Sequence, residues 1–151
     1  FDDTREIALL DEMALWESYL SIEKYRFDKK LKVTWQLPDE DLLYDMVITS
    51  LSLQMVIEKL IVLIVENSTD PIHITISIDW QNDVVKIDIE IELPATTYQL
   101  ICQDIHQKLQ FNSQLAILRQ YFGHEASIHF EISGYLLVTQ IRYPLKDVAA
   151  F

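Results

Sequence analysis

The residues that could do chemistry are few and scattered. Asp88, Glu90 and Glu92 alternate along a predicted strand, so their carboxylates project to one face. Such a row could serve acid–base work or hold Ca²⁺, but a calcium site needs a ligand loop turned by glycine, and none accompanies it. The row reads as a solvated acidic face, which would also discourage edge-to-edge association if that strand lies at an exposed edge. His73 and His129 fall on polar positions of predicted strands, and His106 and His124 lie in other contexts. No two of the four histidines sit at the helical or hairpin spacing of a metal pair. Cys102 is the single cysteine, which excludes an intramolecular disulfide and a cysteine-rich metal site and implies a reducing setting. Glu58 and Lys59 are adjacent charges on a helix that is apolar almost all round, where a lysine can snorkel to solvent. Glycine occurs only at positions 123 and 134, so backbone that must approach an anion closely is scarce.

The elements that would position these side chains alternate between helix and strand. Apolar residues Ile7, Leu10, Ala14, Leu15, Leu20 and Ile22 recur at helical spacing and predict a helix from Thr4 to about Phe27. Leu31, Val33 and Trp35 alternate with polar residues in a short strand, and Pro38 to Asp41 reads as a turn. A helix follows from about Thr49 or Ser50 to Glu66, apolar almost all round and therefore expected inside the domain. Ile72, Ile74, Ile76 and Ile78 share one face of the next strand, as Val85, Ile87, Ile89 and Ile91 do in its successor. Gln81-Asn82-Asp83 predicts the hairpin between them. After Pro94 comes a mixed stretch, then a helix from about Ser113 to Phe122 closed by Gly123. Two last strands, about 126–132 and 135–143, meet at Ser133-Gly134. These elements predict an α+β domain: a two-layer α/β sandwich whose mainly antiparallel sheet carries helices on one face.

Bulk properties narrow the function classes. The 151 residues suit one domain, which buries roughly 68–70% of its unfolded surface. A formal charge of −12 argues against nucleic acid and against anionic lipid, since both require a basic surface. The longest apolar run, Leu60 to Val65, is far short of the ~20 residues that cross a bilayer. The chain begins at Phe1 without a signal-peptide pattern, which suggests a fragment of a longer protein.

The stretch Leu20-Ser21-Ile22-Glu23-Lys24-Tyr25-Arg26-Phe27 resembles the "YLxIEKxRF" signature of LytS/YehU-like bacterial sensor histidine kinases, which precedes their ATPase domain. Leu53-Gln54-Met55-Val56-Ile57-Glu58-Lys59-Leu60 is similar to that family's "LQPLVENA" box. Asn112, Tyr121 and Gly123 resemble the end of the lid and its following helix, and Ile141 to Leu145 the closing strand. The resemblance implies the Bergerat fold of the GHKL ATPases. It makes residues 1–30 an N-terminal helix leading to an upstream dimerisation and phosphoacceptor region, and 31–151 a degenerate ATPase-like domain. It also implies ATP and Mg²⁺ as cofactors, a homodimer formed through the upstream region and a response regulator as partner. The domain would be cytoplasmic, in a parent protein anchored to the membrane.

The residues that hold the cofactors in that family are not all here. Glu58 matches its glutamate, but Lys59 stands where the resemblance places the Mg²⁺-coordinating asparagine, and an ammonium offers donors only. The Asp-x-Gly-x-Gly turn expected after the second long strand reads Ile91-Glu92-Leu93-Pro94-Ala95, and the lid region from Pro94 to Phe111 has no glycine. None of the histidines matches the phosphoacceptor motif. The expected remnant of the nucleotide site is therefore Glu58 with Lys59, without catalytic residues and without bound ATP or Mg²⁺. Lys59 either snorkels to solvent or takes the magnesium's place beside Glu58 or another acid. Trp16, Tyr19, Tyr25 and Phe27 are expected to pack in the core or against an upstream dimerisation helix. The resulting expectation is a signal-transduction module that acts through protein contacts. A histidine kinase binding ATP by an altered route, and a structural α/β domain unrelated to kinases, are the alternatives.

Overall fold

The computed structural model describes residues 6–26, 31–39, 46–49 and 52–144. Its elements run β1 (Glu6–Ala8), α1 (Leu9–Arg26), β2 (Leu31–Gln36), β3 (Val47–Thr49), α2 (Ser52–Leu60), a π-helical turn (Ile61–Val65), β4 (Ile72–Gln81), β5 (Val84–Glu92), α3 (Ala95–Ile101), α4 (Ile105–Lys108), α5 (Asn112–Phe122), β6 (Ser127–Ser133) and β7 (Leu136–Pro144).

Five strands form one sheet in the order β2-β4-β5-β7-β6, with β2 parallel to β4 and every other pair antiparallel. The isoleucines at 72, 74, 76 and 78 and Val85, Ile87, Ile89 and Ile91 are all buried beneath the helices, as the period-two pattern requires. Each such side chain contributes about 1.5–3 kcal/mol on leaving water. The opposite face is polar. Gln36, Ser77, Asp88, Gln140 and His129 lie in register across all five strands. Ser77 Oγ donates to Gln36 Oε1 at 3.0 Å and Gln140 Nε2 to Asp88 Oδ1 at 2.9 Å. Asp88 of the acidic row is thus part of a hydrogen-bonded polar face.

Two hairpins link consecutive strands. Gln81 pairs with Val84, leaving Asn82 and Asp83 as a two-residue loop with φ of 52° and 61°. Both central residues are left-handed, as in the type I′ turn that matches sheet twist. Gly134, at φ 62°, serves the turn between β6 and β7. Gly123 ends α5 at φ 89°, where its N–H meets the Arg119 carbonyl at 2.8 Å.

On α1, Leu9, Met13, Trp16 and Leu20 turn one stripe into the core, and Trp16 stacks on Trp35 of β2 with centroids 5.6 Å apart. Core packing is therefore the outcome for Trp16; Tyr19 is half-buried, the Tyr25 side chain and Phe27 lie outside the described residues.

Several boundaries differ from the sequence reading. A strand, β1, precedes α1 and pairs with β3 in a separate two-stranded sheet, so the first helix starts at Leu9. Three-residue strands carry too little periodicity to be read. The second helix divides into α2 and the π turn, closed by Glu66 N–H on the Ile61 carbonyl at 3.4 Å. An all-apolar run such as Ile61–Val65 has no pattern from which a widened turn could be told. The mixed stretch after Pro94 is α3 and α4, both short. Residues 40 and 41 of the predicted turn lie outside the described residues. No helix among the described residues is long and apolar enough to cross a membrane.

Candidate functional site

The helix carrying Glu58 and Lys59 is anchored from a distance. Glu12 of α1 is fully buried, and its Oε2 accepts the N–H of Leu53 at 3.1 Å, in the first turn of α2. A carboxylate there satisfies an N–H that has no partner within its own helix and complements the positive end of the helix dipole. The buried Tyr143 of β7 lies within reach of the same charge. Burial first, and the Glu12 charge second, hold its hydroxyl protonated far beyond the usual tyrosine range.

Along the outer face of α2 and the π turn, Met55, Glu58, Lys59, Val62, Leu63, Glu66 and Asn67 follow one another at helical spacing and line a cavity of about 680 Å³. Lys108 from the end of α4 and Gln114 from the first turn of α5 line the same cavity. The space thus lies against the α4–α5 segment.

Glu58 is exposed and Lys59 half-buried. The two do not pair. Lys59 Nζ donates to the Gln110 carbonyl, and lies 6.0 Å from the centroid of the Phe111 ring. Its partners are therefore a carbonyl and an aromatic face. This contact ties α2 to the backbone that enters α5. Lys108, at the far wall, is held by Asp104 at 3.3 Å. Asn67 Nδ2 reaches back to the Leu63 carbonyl at 2.6 Å, occupying one acceptor at the end of the helix. Gln114 is 2% exposed and its Oε1 has no hydrogen-bond partner, so one uncompensated acceptor belongs to the cavity wall.

The segment after β5 makes no loop. Leu93 is buried, its N–H bonded to the Tyr135 carbonyl at 2.7 Å, and Pro94 leads straight into α3. Tyr98 of α3 meets Tyr135 edge-on at 5.1 Å. From Ile91 to Phe111 no residue has a positive φ. Backbone that wraps an anion with successive amides commonly uses such conformations.

Among the described residues no group of three or more His, Cys, Asp or Glu side chains gathers for a metal ion. His73 is exposed and its Nε2 lies 2.7 Å from Thr34 Oγ1; His106 stacks on Phe130. Sequence reasoning found Glu58 and Lys59 but not Met55, Val62, Glu66, Lys108 or Gln114. The i−4, i+3, i+4, i+7 and i+8 positions around Lys59 are the residues its own helix adds to the wall. The opposite wall depends on tertiary packing.

No protein-family model matches the sequence, and no curated protein does. Solved structures do match. The catalytic domain of histidine kinase ThkA, in a nucleotide-free form, superposes with a TM-score of 0.64 at 14% identity, covering 95% of this chain and 98% of that one. Histidine kinase AdeS of Acinetobacter baumannii gives 0.63 at 18% identity over 89% of this chain and 65% of that one. ThkA in complex with the response regulator protein TrrA gives 0.63 at 13% identity, over 94% of this chain and 42% of that one. The five-stranded, mostly antiparallel sheet with its helices is the fold of histidine kinase catalytic domains.

Proposed function

We propose that this chain is a signalling module of a LytS/YehU-like sensor histidine kinase that has given up ATP and acts through protein contacts. The observation that carries the reading is Lys59. Where the kinase resemblance calls for an oxygen ligand to Mg²⁺, the chain offers an ammonium already bonded to the Gln110 carbonyl. The direct run from β5 through Pro94 into α3 supports it, since no glycine there brings backbone amides close to a phosphate. The group implied by the family does not fit the residues present.

In this reading residues 1–30 join the domain to an upstream dimerisation region, the domain works on the cytoplasmic side, and its partner is a response regulator. ThkA, a neighbour in fold, has been captured with such a partner. The rival reading is a kinase that binds ATP by an altered route. The 680 Å³ cavity with Lys59 and Lys108 on its walls favours it, because a polyphosphate needs cations. A thermal-shift series with Mg²⁺ and ATP separates the two. A ligand at a hundred times its Kd stabilises by about 2.7 kcal/mol, so millimolar nucleotide leaves the melting temperature unchanged if the proposal holds. A rise at sub-millimolar ATP favours the kinase.

A further inference from the structure

The outer strand β6 has a hydrogen-bonded neighbour on one side only, β7, among the described residues. Its sequence, Ser127-Ile128-His129-Phe130-Glu131-Ile132-Ser133, is nearly a palindrome about Phe130. Its register with β7 runs unbroken from Ser127 to Ser133, so no bulge twists the edge away, and it contains no proline or lysine. These are the usual devices that keep an edge from pairing. His129 and Glu131 are exposed on the polar face of the sheet, while Ile128, Phe130 and Ile132 are half-buried on the helix face.

We infer that β6 pairs antiparallel with β6 of a second copy of this chain, about a two-fold axis through Phe130 and normal to the sheet. In that register Ser127 meets Ser133, Ile128 meets Ile132, and Phe130 meets itself. His129 of each copy faces Glu131 of the other. The imidazole supplies an N–H donor to the carboxylate in either protonation state, and the pair occurs twice by symmetry. Directly opposed side chains of this kind are the unit of sheet stabilisation, and like charges at the same positions destabilise. Shifting the register by one residue would set apolar side chains on the wet face, so the palindrome selects a single pairing. The two five-stranded sheets become one sheet of ten. This interface is independent of any contact made through an upstream region.

Sedimentation equilibrium of the chain at hundreds of micromolar tests it, with His129→Glu and the swapped double variant His129→Glu/Glu131→His. Both positions are exposed, so folding is not at issue. The expected result is a reversible dimer for the native chain, roughly tenfold weaker association in His129→Glu, and recovery in the double variant. A chain that stays monomeric, a single variant that dimerises as well as the native chain, or a double variant that fails to recover each overturns the inference.

Discussion

Lys59 and Tyr143 show how single side chains act on this fold. Lys59 joins α2 to the entry of α5 through the Gln110 carbonyl. Removing it in Lys59→Ala should lower stability by about 1 kcal/mol, a fall in melting temperature of about 2–4 °C. An unchanged melt would mean that the contact holds nothing. Tyr143 is buried with a hydroxyl that lacks a partner. Its folded-state pKa is raised, by burial and then by Glu12, so its contribution to stability is complete below the unfolded tyrosine value near 10 and is lost as pH climbs above it. Tyr143→Phe should therefore match or exceed the native chain at neutral pH, by up to ~1 kcal/mol, and resist alkaline unfolding better. Melting curves of both proteins from neutral to strongly alkaline pH check this, and curves that stay parallel would refute it. Lys59 is conspicuous in the sequence because it stands where the kinase resemblance places an asparagine. The sequence could not name Gln110, since a backbone carbonyl fifty-one residues away leaves no trace in side-chain type.

At the scale of elements, the link between α1 and α2 matters most for the cavity. Glu12 sits in α1, and its carboxylate meets the start of the helix that carries Glu58 and Lys59. Glu12→Ala should cost about 1–2 kcal/mol, as loss of a helix cap does, while Glu12→Gln keeps an acceptor and should cost less. Denaturant titration ranks the three, and equal losses in both variants would argue that charge, and not the hydrogen bond, is what α2 uses. The β4–β5 hairpin offers a cleaner case. Asp83 has φ of 61°, a conformation that glycine adopts freely, so Asp83→Gly should stabilise by about 0.5–1 kcal/mol. The long strands and α5 were legible in the sequence because alternation and helical spacing persist over seven or more residues. β1, β3 and the π turn were not, because they are too short or too uniformly apolar for any period. Nor did the stretch after Pro94 show its helices: α3 and α4 bury only Thr97, Ile101 and Ile105 of their eleven residues, too few to set a stripe.

For the whole molecule, a sequence that matches no family model nonetheless takes up the fold of histidine kinase catalytic domains. The strand pattern, the helix between strands and the closing hairpin survive because core burial constrains side-chain class and not identity. The cavity was legible only in part. Glu58 and Lys59 marked its helix, but its volume and its second wall come from the packing of α4 and α5 against α2. The fold leaves a cavity beside the helix that carries Glu58 and Lys59, and the proposal is that it holds no nucleotide. A calorimetric titration of Mg²⁺ and ATP into the purified chain tests this most directly. No binding heat up to millimolar nucleotide is the predicted result, and saturable binding with a sub-millimolar Kd would contradict it.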